Sequence, residues 1–296
     1  IVKKWLSPKY GMSGWRIDVG NMTGRLGEDD LHDEVMRGIR TAMDEVKPDA
    51  WLVAENGDFV ASDLNGFGWH GAMNYQGFMR PLWNWINQNS SIGGGFQGLP
   101  FEMPKIGGKS LVASMVQFSS SIPWRSLVAS MVLLDSHDTA RMRTVVNGDK
   151  KAHLSAVTAM LTYPGVPSIF AGDEIGLEGS WGEDSRRTIN WEDRSGWDHE
   201  FLAEVKKLVH LRRNHDGLIE GGLRWVAVED NFICYLRESE KQSLLVFISR
   251  KAVRTEIDLA DYGYKVSKTL YGPEATGGSV KIDAEYATQG IWEVKS

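Results

Sequence analysis

GWRIDVG, residues Gly14 to Gly20, is a short apolar run bounded by glycines that carries opposite charges two places apart. Side chains alternate along a strand, so Arg16 and Asp18 share one face. A buried strand is expected here, and a carboxylate in a partly dry pocket stays ionised when a guanidinium stands beside it. The stretch therefore reads as a strand that ends in a held, charged acid.

The same design recurs downstream. Residues 51–55 (WLVAE) form an apolar run ending in an acid. Residues 130–138 (SMVLLDSHD) and 165–174 (GVPSIFAGDE) repeat it, each with a polar cluster at the carboxyl end. Helical patterns lie between. Leu31, Val35, Ile39, Met43 and Val46 define one apolar helical face, with Asp29 and Asp30 as cap candidates and Pro48 beyond the end. Residues 149–163 (DKKAHLSAVTAMLTY) and 199–215 (HEFLAEVKKLVHLRRNH) read as further helices, the second with Phe201, Leu202, Val205, Leu208, Val209 and Arg212 in register. The stretch 68–75 (GWHGAMNY) has only a faint strand pattern. Buried strands alternating with helices imply a parallel sheet. Polar clusters at the carboxyl ends of successive strands suit the active face of a (β/α) barrel.

Beyond about Gly217 the helical pattern stops. LRWVAVED (223–230), NFICYLRE (231–238), SLLVFIS (243–249) and GIWEVK (290–295) are short β-branched and aromatic runs between polar turns, the mark of a small antiparallel sandwich. One heptapeptide, SLVASMV, occurs at 110–116 and again at 126–132. The first copy falls in a helical pattern and the second runs into a strand, so context must decide between them.

The chain of 296 residues is long enough for one large domain or two unequal ones. Its net charge of −6 is spread along the length, unlike the clustered basic face that nucleic acid requires. No apolar run approaches the roughly 18–20 residues of a membrane span. Cys234 is the single cysteine, so neither an intrachain disulfide nor a cysteine metal cluster is possible. The opening IVKKWLSPKYGMSG has neither an initiator Met nor a signal-peptide pattern, and reads as a helix already under way. It assigns no localisation.

Asp18, Glu55 and Asp138 all fall at strand ends. One such acid is ordinarily a salt bridge or a cap. Three on successive barrel-type strands, with Arg16 and His137 beside them, converge on one mouth. Gathering carboxyl groups pushes their pKa values apart, which lets one act as an acid and another as a nucleophile. Trp69, Trp181 and Trp191 lie in inter-element stretches where an indole could stack on a ligand ring, although core packing is the ordinary role of tryptophan.

At this point a family resemblance is visible. GWRIDVGNM, WLVAENGD and LLDSHDTAR resemble three signature regions of the alpha-amylase family, glycoside hydrolase family 13, in the family's order. GVPSIFAGDEIGL followed by EDSRRTINW resembles its eighth strand and the loop after it, closest to the neopullulanase and cyclomaltodextrinase members. The resemblance implies an α/β fold: a partial TIM (β/α)8 barrel, strands four to eight, over residues 1–217, followed by a C-terminal antiparallel β-sandwich domain over 218–296. It implies a retaining glycoside hydrolase acting on α-glucosidic bonds of maltooligosaccharides or related glucans through a covalent glycosyl-enzyme intermediate. Asp18 is then the nucleophile, Glu55 the general acid/base and Asp138 the third acid. Arg16, His137, Asp184 and Arg186 would hold substrate or orient these groups.

Asn21 and Met22 stand where members often carry a Lys-His pair or a glutamate, which leaves the acceptor side differently furnished. A transglycosylase or sugar isomerase on the same machinery, or a non-catalytic barrel scaffold, are the alternative functions. No cofactor is expected. Calcium occurs in some members, but no metal ligand is assigned in this stretch. The expected partners are the glucan substrate and the N-terminal barrel strands, supplied as a second chain or cleaved segment. Neither nucleic acid nor a membrane is expected as a partner.

Overall fold

A computed structural model of the chain describes residues 1–57, 59–88 and 103–296. Helix α1 (Val2–Leu6) leads into β1 (Gly14–Ile17). A small hairpin, β2 (Arg25–Leu26) and β3 (Asp29–Asp30), precedes α2 (His32–Asp44), β4 (Trp51–Ala54) and β5 (Gly71–Ala72). One π-helical turn, Tyr75–Met79, runs into α3 (Arg80–Ile86). Then come α4 (Gly108–Ser120), α5 (Trp124–Ala129), β6 (Met131–Leu133), α6 (Met142–Val145), α7 (Lys150–Thr162) and β7 (Val166–Ser168), followed by α8 (Gly182–Ser185), α9 (His199–Asn214) and α10 (Asp216–Ile219).

The strands before α8 are ordered as the alternating pattern predicts. β1 pairs with β4 and β4 with β5, both parallel. A parallel bridge from Met73 to Met131 carries the array to β6, which pairs in parallel with β7. Each strand therefore lies beside its successor, and all carboxyl ends point one way. Among the described residues the outer edges of β1 and β7 pair with nothing, and no closed barrel forms. This explains one departure from expectation. β1 is half-buried along its whole length, not buried, because it is an edge strand.

The glycines that bound the opening stretch have a packing reason. A Cβ on Gly14 would come within 2.2 Å of the Trp51 carbonyl oxygen, and one on Gly20 within 2.7 Å of the Ala54 Cβ. Both permit the close approach of β1 to β4.

Helix α2 forms where expected, but its buried face is rotated. His32, Met36 and Met43 are buried, while Leu31 and Val46 are exposed. His32 fixes this rotation: its Nδ1 lies 2.8 Å from the Thr23 carbonyl oxygen, and its ring meets Trp69 edge-on. Helices α7 and α9 match their patterns, and Asp149 caps α7 by accepting from the N–H groups of Lys151 and Ala152. The two copies of SLVASMV diverge. The first lies wholly within α4, whereas the second supplies α5 and then turns at Ser130 into β6.

The remaining residues form β8 (Gly222–Glu229), β9 (Phe232–Glu238), β10 (Ser243–Ser249), β11 (Val253–Asp258), β12 (Lys265–Tyr271), β13 (Ser279–Ala284) and β14 (Gln289–Lys295). Five make an antiparallel sheet in the order β12-β14-β10-β9-β8, and β11 pairs with β13. Strand alternation divides the sheet's apolar residues between two cores. Ile233, Tyr235, Leu244 and Val246 join the core that also holds the parallel strands. Cys234, Leu236, Leu245 and Phe247 pack with Ile257, Val280 and Ile282 of the β11–β13 pair.

Two buried arginines gather at the carboxyl end of α7, and one of them ties it to this sheet. Arg212 of α9 donates to the carbonyls of Leu161, Tyr163 and Gly165, and Arg237 of β9 donates to those of Thr162 and Gly221. Burial pushes both guanidinium groups down to about 10. Cations at the carboxyl end of α7 complement its exposed carbonyl dipoles.

Candidate active site

The register of β1 on β4 sets Ile17 against Ala54. The Glu55 N–H donates to the Ile17 carbonyl at 2.9 Å, and the Gly20 N–H donates to the Glu55 carbonyl at 2.7 Å. Asp18 and Glu55 thereby leave neighbouring strands at the same level. Arg16 reaches both. Its Nη1 pairs with Asp18 Oδ1, and its Nη2 lies 2.9 Å from Glu55 Oε2, close enough for an ion pair without hydrogen-bond alignment. The sequence singles out Arg16 as the partner of Asp18 alone; the structure makes it a bridge between two acids. The acids differ in setting: the side chain of Asp18 is 75% exposed and that of Glu55 14%.

Val19 contributes what the sequence does not reveal. Its N–H donates to Glu55 Oε2 at 2.9 Å, and its backbone lies at φ 43°. The left-handed region is costly for a β-branched residue, so the surroundings must hold it there.

Asp138 follows β6. His137 Nε2 lies 3.3 Å from Asp138 Oδ2, and Arg186 Nη2 lies 2.9 Å from Asp138 Oδ1. Arg186 Nε also donates to the His137 carbonyl at 2.8 Å, so Arg186 is brought onto the acid cluster. Asp184 is not. Its carboxylate takes donors from Arg187 and from the N–H and hydroxyl of Ser180, which hold it below the usual carboxylate range.

Tyr75 is tied to the Asp138 side and lies within electrostatic reach of Glu55 and Arg16. It is buried at the start of the π turn, and its hydroxyl donates to Ser136 Oγ at 3.0 Å. Ser136 Oγ in turn accepts the Asp138 N–H at 3.2 Å. Burial first, and then the charges of Glu55 and Asp138, push the phenol up to about 12 against the lowering effect of the Ser136 hydrogen bond. Tyr75 belongs to GWHGAMNY, the least strand-like of the expected strands. A buried tyrosine that needs a partner for its hydroxyl is the one sequence signal it offers.

Of the three loop tryptophans, Trp69 is 1% exposed and part of the core. Trp181 and Trp191 are exposed; Trp191 meets Trp197 edge-on, and Trp181 immediately precedes Gly182, which packs on the Asp138 backbone. Among the described residues no three His, Cys, Asp or Glu side chains gather in an arrangement fit for a metal ion. Among the described residues no helix is long and apolar enough to cross a membrane.

Comparison with known proteins gives this geometry a family context. A family model described as the alpha amylase catalytic domain matches residues 1–200. A cyclomaltodextrinase from a Bacillus species is 30% identical over 242 residues, covering 81% of this chain and 39% of that protein. An amylopullulanase from Thermoanaerobacter thermohydrosulfuricus is 31% identical over 243 residues, covering 75% of this chain and 15% of that protein. The crystal structure of a debranching enzyme from Nostoc punctiforme shares the fold with a TM-score of 0.83 at 24% identity, over 99% of this chain and 60% of that one. The chain spans about two fifths or less of the length of these curated relatives.

Proposed function

The chain belongs to the alpha-amylase family, and on that footing we propose that it carries the catalytic acids of a retaining glycoside hydrolase for α-glucosidic bonds of maltooligosaccharides or related glucans. The observation that carries the reading is the Arg16 bridge between an open carboxylate and a sheltered one at the ends of paired strands. One guanidinium touching both keeps the two carboxyl groups close enough for the about 5–5.5 Å separation of a retaining pair.

Asp18, open to the cleft and held at Oδ1, attacks the anomeric carbon through Oδ2 and forms a glycosyl ester. Glu55 Oε2 is taken up by Arg16 and the Val19 N–H, which leaves Oε1 to deliver a proton to the departing glycosidic oxygen. In the second half, Glu55 takes a proton from water, which attacks the ester and releases the sugar with its configuration retained. Asp138, steadied by Arg186 and His137, holds sugar hydroxyls and favours the flattened, oxocarbenium-like ring. Arg186 acts chiefly through Asp138, and Asp184 braces the loop that presents Arg186. The chemistry needs no cofactor.

In this reading β1, β4, β5, β6 and β7 are strands four to eight of an eight-stranded barrel. The barrel portion ends at about residue 217, and residues 218–296 form the sandwich domain. The unpaired edges of β1 and β7 are the seams along which further barrel strands dock, whether from the same polypeptide or from a second chain. The sugar intermediate can pass to water or to an acceptor sugar, and product analysis on maltooligosaccharides separates hydrolysis from transfer.

The decisive experiment is Asp18→Asn in the full-length protein. The neutral amide forms no glycosyl ester, so turnover should fall by at least about 10⁴-fold with the fold intact by circular dichroism. Mass spectrometry of the wild type with an activated fluoro-sugar should show the trapped adduct on the peptide containing Asp18. Near-normal turnover by the Asn variant, or an adduct on another residue, would sink the assignment.

A further inference from the structure

A second pair of carboxyl groups is buried in the segments that carry His137, Asp138 and Arg186, and takes no part in the chemistry above. Asp135, just past β6, and Asp173, in the turn after β7, are 2% and 4% exposed. Their carboxyl groups lie within hydrogen-bonding reach of one another. One cation serves both. Arg141 Nη1 donates to Asp173 Oδ1 at 2.7 Å, while its Nε and Nη2 donate to the carbonyls of Ser185 and Ala171 at 2.9 and 3.0 Å. The guanidinium also sits 4.0 Å from the centre of the Phe170 ring.

Asp135 Oδ2 accepts the Met142 N–H at 2.6 Å, but no donor reaches Asp135 Oδ1. A buried carboxylate oxygen without a donor is costly, and two carboxylates with one guanidinium would leave a net negative charge sealed from water. A proton on Asp135 Oδ1 resolves both problems. The acid then donates to Asp173, whose carboxyl burial raises while the bond from Asp135 and the charge of Arg141 favour its ionised form. Burial and the charge of Asp173 both favour the protonated form of Asp135, and push its carboxyl well above the usual range. The other charged group facing the pair is Glu174, whose carboxylate is engaged by the Gly172 N–H at 2.7 Å.

The bonds of this cluster join two segments that carry site residues. Residues 135–142 bear His137 and Asp138, and residues 171–186 bear Arg186. Ser185 Oγ donates to the Thr139 carbonyl at 2.5 Å and the Arg141 N–H to the Gly179 carbonyl at 2.8 Å, along the same seam.

We propose that Asp135, Arg141 and Asp173 are positioning residues, a clamp sharing one proton between two buried acids that sets Asp138 and Arg186 at their working distance. The effect on turnover rests on the function proposed above; the clamp itself belongs to the fold.

Asp135→Asn tests it in the full-length protein. The amide can accept from Met142 and donate to Asp173, as the protonated acid does, with no proton to lose. Wild type must keep a proton on Asp135 at pH values where the unfolded chain has released it. Its stability therefore falls as pH rises above about 3.9, and the variant escapes that slope. The Tm of Asp135→Asn minus that of wild type should grow from about pH 4 to about pH 8. A flat or falling difference overturns the shared proton.

Turnover gives an independent reading. Asp135→Ala should lower kcat by about 10²-fold with little change in KM, since the misplaced acid matters most in the transition state. Asp135→Asn should recover most of that loss. If Asn is as impaired as Ala, a carboxylate is required and the clamp is wrong. Should the Ala variant fail to fold, the Tm slope of the Asn variant decides. Active Asp18→Asn would remove the proposed function and leave the Tm comparison untouched.

Discussion

At the residue scale, Arg16 is central to the proposed site because it contacts two acids at once. A lysine supplies one point charge on a flexible stem and cannot reproduce a planar fork. Arg16→Lys should therefore lower kcat by about 10²–10³-fold even though charge is conserved, as steady-state kinetics would show. Retention of full activity would mean that charge alone suffices. Removing the arginine at the other acid has a milder expected effect. Arg186→Ala should lower kcat by about 10-fold and spare the fold, since His137 still contacts Asp138.

The three acids proposed for the site stand out in the sequence because each lies at or just past the end of an apolar run, beside an arginine, an asparagine or a histidine. Tyr75, Asp135 and Asp173 do not, because each acquires its meaning from a partner many residues away. Nothing local marks Asp135 as less exposed than Asp138, three places on. The strained backbone of Val19 is equally silent in the sequence, since valine is a poor advertisement for a left-handed conformation.

At the element scale, helix starts and charge pairs set local stability. Asp198 caps α9 by accepting the Phe201 N–H, and it also faces Arg143 and Lys150. Burial alone would raise its carboxyl, but Lys150, the cap bond and Arg143 prevail and hold it below its ordinary value. A carboxylate lowered in the folded state stabilises above its unfolded pKa, and that contribution is lost as pH falls through the folded value. Asp198→Asn should accordingly cost about 1–3 kcal/mol near neutral pH and flatten the loss of stability below about pH 4. Denaturant titrations at both pH values would check it; an unchanged acid slope would contradict it.

Elements with strong periodicity were readable: α7, α9 and the apolar runs at β4, β6, β9 and β10. The strands β11, β12 and β13 were not, because exposed polar residues interrupt each of them, as in VRTEID. Alternation that weak resembles a loop until a pairing partner is known. The rotated face of α2 was hidden too, since a buried histidine displaced the leucine and valine that periodicity favours.

At the scale of the whole molecule, the parallel strands and the C-terminal sheet are joined by apolar packing and by Arg237, whose hydrogen bonds go to backbone carbonyls. Arg237 is fully buried and satisfies carbonyls from both sides of the junction. Arg237→Met keeps the bulk but leaves those carbonyls without donors, at an expected loss of about 2–4 kcal/mol. Calorimetry should show a lower Tm, and a split into two transitions would mean that the arginine also couples the two halves. The strand order and the separate C-terminal sheet were foreseeable from the alternation of patterns. The junction was not, since a lone arginine in an apolar strand says nothing of the carbonyls it will meet.

The repeated heptapeptide has a consequence for how the chain reaches this arrangement. Two identical segments occur in the chain, and only the second lies beside β7. If the earlier copy took that place, Gln117 and Phe118 would stand where Leu133 and Leu134 now lie, and Ser119 would replace Asp135. The error would place a polar residue in the sheet and strand the whole acid-bearing loop outside it. Discrimination between the copies thus falls to the residues around each one, where local sequence and global fold must agree.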